Sequence, residues 1–139
     1  MNNFFEDNLF FSVTSLAREL SVIAESHFST IGLTPSDALL MLVVNAKAGV
    51  QPTEISLKIK LAPSTITRMV EKLEKKNLLI RLSESKYTYI HATEKGHQLF
   101  PAIVEIWQNV YAHFNNHLDA ETIEKLIAQT SDVSKRISK

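Results

Sequence analysis

A mainly α-helical fold carrying one β-hairpin (α+β) is what this 139-residue sequence predicts, and three observations predict it. Apolar residues recur every three or four positions in successive stretches, the signature of helices that each bury one face. Two short runs of strand formers flank a polar turn between Ser83 and Lys86. Prolines stand at helix starts: Pro35 follows the capping residue Thr34, and Pro52 follows Gln51.

From Asn8 to about Ser29 the seam Leu9, Val13, Leu16, Leu20 and Ile23 defines a first helix, widened by Phe10, Phe11, Ala17, Ala24 and Phe28. A helix apolar on more than one side needs more than one surface to cover it, and a second subunit is the expected cover. Gly32 marks a break, Thr34 an N-cap, and Asp37 places a carboxylate near the positive end of the next helix. That helix runs to about Lys47 and is expected to bury Leu39, Leu40, Leu42 and Val43. A short third helix runs from Pro52 to about Lys60, with Ile55 and Ile59 inward.

After the tight connection Lys60-Leu61-Ala62 comes the most informative segment, Pro63 to Lys76. Ile66, Met69, Val70 and Leu73 make its buried stripe, and Ser64, Thr65, Thr67, Arg68, Lys72 and Lys75 stand outside it. Short helix, tight turn and a second helix with a polar start make a helix-turn-helix. Hydroxyls and exposed backbone N–H groups at such a helix start reach bases and phosphates, while cations further along neutralise phosphates. The strand runs Asn77–Leu82 and Tyr87–Ala92 follow as a hairpin, which makes the layout a winged helix-turn-helix. Thr93 then caps a long helix through Leu99, Ile103, Ile106, Val110 and Phe114, with Pro101 inside it, and Asp119 caps a last helix carrying Ile123, Leu126, Ile127, Val133 and Ile137.

Charge is segregated along the chain. Between Gln51 and Lys86 there are eight cations against four carboxylates, a net of +4, and the remainder carries −4, so a total of zero conceals a basic third. The chain has no cysteine, which excludes disulfides, thiolate metal sites and thiol redox sensing. The start of the chain lacks a cationic region ahead of an apolar one, and the longest apolar run, Ala38 to Val44, is too short to span a bilayer; a cytoplasmic protein with no membrane partner is expected. No phosphate loop, nucleophile motif or distinctive carboxylate pair supports an enzyme, and no cofactor is expected.

With these residues placed, the chain resembles the MarR family of winged helix-turn-helix regulators over nearly its full length. The resemblance rests on Gly32-Leu33-Thr34-Pro35, on Pro63-Ser64-Thr65-Ile66-Thr67-Arg68 with Leu73-Glu74-Lys75-Lys76, and on Ala92-Thr93-Glu94-Lys95-Gly96. It implies a homodimer on double-stranded DNA, with residues 1–34 and 94–139 as intertwined dimerisation helices around a DNA-binding region at 35–93. Two recognition helices then enter successive major grooves of a pseudo-palindrome, and a ligand relieves repression. Ser64, Thr65, Thr67 and Arg68 are the expected major-groove contacts, with Lys72, Arg81 and Lys86 on the backbone. The alternative is an interaction module, an antirepressor or heterodimer partner, that keeps the scaffold and has abandoned DNA.

The chain departs from the family pattern in three ways. Ala62 stands where the family has Ser, removing a side-chain N-cap, and Lys60 and Asn77 stand where it has Gly. The wing is short and lacks the Asp-x-Arg element whose Arg enters the minor groove. Phe11, Phe28, Trp107 and Tyr111 are candidates to line a pocket for a small aromatic or lipophilic effector, or simply core and interface. His113 and His117, four apart on a helix, are weak metal-ligand candidates; no second pair of ligands can be assigned, so no metal is expected.

Overall fold

Cap chemistry and apolar spacing set nearly every boundary in the computed structural model, which describes residues 3–138. Helix α1 spans Leu9–Phe28, started by the Asn8 side chain accepting the Phe11 N–H at 2.8 Å. A single 3-10 turn, Ser29–Ile31, leads to Gly32, whose φ of 70° lets the chain reverse. Helix α2, Pro35–Ala46, opens with a reciprocal capping box: Asp37 N–H donates to Thr34 Oγ1 at 3.0 Å, and Thr34 N–H donates to Asp37 Oδ2 at 3.1 Å. Helix α3, Pro52–Ile59, ends at Lys60 in the left-handed conformation, and α4 spans Pro63–Lys75.

Strands β1, Leu79–Glu84, and β2, Tyr87–Ala92, pair antiparallel in the register Leu79 with Ala92 through Glu84 with Tyr87. The hairpin therefore starts two residues later than the strand-forming run suggested, and its turn shrinks to Ser85 and Lys86. Ser85 takes a φ of 60°, the positive value that a two-residue hairpin loop demands. Val50 adds an isolated bridge to Ile90, with Ile90 N–H donating to Val50 O at 2.9 Å. That bridge anchors the hairpin to the α2–α3 connection, and nothing in the strand-poor run around Val50 announced it.

Helix α5 spans Glu94–Asn115 with Pro101 inside it, and α6 spans Ala120–Ile137. The chain forms two compact units divided between Ile106 and Trp107. In the first, Phe28, Leu40, Met41, Ile55, Ile66, Leu73 and Ile90 are fully enclosed. The α2 face is rotated from the expected one: Leu40, Met41 and Val44 are buried, Leu42 and Val43 are half-buried, and Leu39 is exposed. A run apolar on every side does not specify which side faces in; the neighbours of α2 decide it. The expected stripe of α4 is buried at all of Ile66, Met69, Val70 and Leu73.

Candidate nucleic-acid interface

Helix α4 is held as a presented element, buried along one stripe and bare along the other. It starts at Ala62, which has extended backbone (φ −61°, ψ 146°) and no side chain able to cap the first amides. Ser64, Thr67 and Arg68 are exposed and Thr65 half-buried. The Thr67 hydroxyl donates back to the Pro63 carbonyl at 3.1 Å, which spends its proton within the helix. A shallow depression lined by Thr65, Arg68, Met69 and Lys72 runs along one flank of α4, and another, lined by Thr67, Val70, Arg81 and Thr88 among others, separates it from the hairpin. Thr67 therefore faces the wing, whereas Thr65 and Arg68 share the other flank.

The far end of α4 is fastened by the residues around Thr93. Asn77 takes a left-handed φ of 62°. Thr93 donates its hydroxyl to Asn77 O at 2.5 Å and accepts the Gly96 N–H at 3.1 Å, so one side chain closes the loop after α4 and caps α5. Lys95 Nζ reaches Lys76 O at 3.2 Å, and Lys76 Nζ reaches Gly32 O at 2.5 Å. At the other side of the helix-turn-helix, Lys47 donates to Glu54 Oε2 at 2.6 Å. That hydrogen bond, aided by the Gln51 N–H, holds the Glu54 carboxyl below its usual range and keeps a negative charge at the α3 N-terminus.

The expected backbone contacts divide. Lys86 sits exposed at the wing tip, its ammonium 5.7 Å from the centroid of the Tyr87 ring. Arg81 is folded onto α4, with Nη2 2.9 Å and Nε 3.1 Å from Glu74 Oε1. Lys72 Nζ lies 2.7 Å from Asp37 Oδ2. Among the described residues, Arg68 and Lys75 make no ion pair, and Lys75 is exposed one turn beyond Lys72. Counting cations along a sequence does not reveal which are already held by the chain's own carboxylates.

The pocket candidates are not all gathered. Phe11 and Phe28 stand 17 residues apart on α1, about 25 Å along the axis, so they do not line one cavity. Phe28 is fully buried in the core, and Phe11 is exposed with its ring edge-on to Phe5. In the second unit Trp107 is half-buried and Tyr111 exposed. The His113 and His117 rings lie 5.4 Å apart between centroids, and no group of three or more metal-ligating side chains occurs among the described residues.

A helix-turn-helix whose second helix is laid bare beside a two-stranded hairpin defines the chain as a winged-helix protein. The sequence pattern of the MarR family matches residues 33–86 of the chain. It is 32% identical over 91 residues to the HTH-type transcriptional regulator MhqR of Bacillus subtilis, an alignment spanning 63% of this chain and 63% of that protein. The crystal structure of the transcriptional regulator SlyA superposes with a TM-score of 0.79 at 25% identity over 94% of both chains. BpsR of Bordetella bronchiseptica, whose DNA binding is regulated by 6-hydroxynicotinic acid, shares the fold with a TM-score of 0.87 at 11% identity, over 95% of this chain and 98% of that one.

Proposed function

We propose that this protein is a homodimeric, sequence-specific regulator of transcription in the cytoplasm, a repressor whose hold on DNA answers to a small aromatic or lipophilic effector. The observation that carries the reading is α4 itself: four buried apolar residues fix it, while Ser64, Thr65 and Arg68 project from the opposite side of its first two turns with no competing ion pair among the described residues. Ser64, Thr65, Thr67 and Arg68 contact the major groove, and Lys86 contacts the backbone from the wing tip. The apolar stripes of α1 and α6 supply the dimer contacts.

Arg68→Ala tests this directly. In gel-shift titration on a genomic fragment selected by the wild-type protein, the loss is about 1–3 kcal/mol if the guanidinium reads a base. Unchanged affinity at physiological salt removes Arg68 from the interface.

A second reading draws on the wing. Ile80, Leu82 and Tyr87 share one exposed face of the hairpin, and Arg81 is tied to Glu74, which suits an interaction module better than a DNA wing. That reading gains if no genomic fragment binds in a salt-dependent way while a protein partner is recovered.

A further inference from the structure

Asp37 is the buried charged side chain among the described residues, 1% exposed. Its Oδ2 accepts the Thr34 N–H at 3.1 Å and meets the Lys72 ammonium at 2.7 Å, while Oδ1 has no hydrogen-bond partner among the described residues. A carboxylate removed from water needs compensation, and its charge here is balanced by Lys72. Withdrawing that ammonium leaves an uncompensated buried charge, a far larger loss than an exposed cation gains from one phosphate.

Lys72 is nonetheless placed where DNA would find it. It lines the same depression as Thr65 and Arg68, and its side chain is 44% exposed. Lys76, one turn further, is likewise turned to the Gly32 carbonyl. Lys72 of α4 and Lys76, the C-cap that follows it, therefore both face the segment that opens α2, tying the second half of the helix to the scaffold.

We propose that Asp37 withholds Lys72 from DNA: the pair positions α4 on α2, and Lys72 acts as a positioning residue whose charge is spent inside the protein. The proposal rests on the DNA-binding reading and deepens it. It changes which cations neutralise phosphates, leaving that work to Arg68, Lys75 and Lys86.

The salt dependence of binding separates this from a phosphate role. Each neutralised phosphate contributes about 0.9 to the slope of log affinity against log salt. On a genomic fragment selected by the wild-type protein, Lys72→Met lowers affinity by the same factor at every salt concentration, with the slope unchanged. Asp37→Asn keeps an oxygen for the Thr34 N–H and frees Lys72, so the slope steepens by about 0.9 for each protomer on the duplex. The opposite pattern overturns the proposal: a slope shallower by about 0.9 per protomer in Lys72→Met and unaltered in Asp37→Asn. Should Lys72→Met fail to fold in a thermal melt, Asp37→Asn alone decides. A wild-type protein with no salt-dependent binding to any fragment sinks the DNA-binding reading itself, a result distinct from either slope pattern.

Discussion

A β-carbon built on Gly96 would lie 2.3 Å from the Leu78 carbonyl oxygen and 3.2 Å from the Met41 Cε. Two opposing effects meet there. Helix propensity favours Ala over Gly by about 1 kcal/mol inside a helix. A backbone atom inside van der Waals contact cannot step aside as a flexible side chain does, and such overpacking costs about 1–3 kcal/mol. The steric effect wins, so Gly96→Ala lowers the melting temperature and loosens the junction of wing and α5. A variant melting at or above the wild-type temperature would show that α5 slides to make room. The same residue-scale logic explains Lys60 and Asn77. Their φ values of 57° and 62° are those at which glycine is unstrained. Asn tolerates the left-handed region better than Lys does, so Lys60 carries more of the strain.

At the scale of the element, α4 lacks a side-chain cap, since Ala62 offers no oxygen to the amides of the first turn. Its backbone is already extended, as an N-cap requires, so Ala62→Ser needs no rearrangement and gains about 1 kcal/mol. The melting temperature should rise by a few degrees; no rise would mean that the first-turn amides gain nothing from a protein partner. Helix α4 was largely legible beforehand because its stripe, Ile66, Met69, Val70 and Leu73, depends only on spacing within one helix. What escaped the sequence were meetings between distant residues. Asp37 and Lys72 lie 35 positions apart, and nothing local in either segment signals their 2.7 Å contact. Arg81 and Glu74 sit on different elements, so a cation placed on DNA by sequence is found on a carboxylate. The first strand starts two residues later than its apolar run because Leu78 is buried in the core ahead of the hairpin, and the turn at Ser85, with its positive φ, fixes where the two strands meet.

At the scale of the molecule, the surfaces a single chain leaves uncovered are its strongest statement about assembly. Along α6 the apolar series Ile123, Leu126, Ile127, Val133 and Ile137 keeps helical spacing, yet within one chain only Ile123 is buried, and Ile127 is 63% exposed. On α1, Leu9, Phe10 and Val13 are more than half exposed. Scattered apolar residues on a surface need no explanation, but a stripe at core spacing does. If α6 faced water in the working protein, replacing Ile127 with Asp would sit within about 0.5 kcal/mol of neutral, as surface substitutions do. If a second copy of the chain covers the stripe, the same substitution buries an unpaired carboxylate at a subunit contact. Ile127→Asp should then shift the protein from dimer toward monomer in sedimentation velocity at micromolar concentration. DNA affinity should fall with it, because one recognition helix alone reads only half of a two-fold site. A variant that sediments with the wild type and binds DNA equally would place the dimer contacts away from this face of α6.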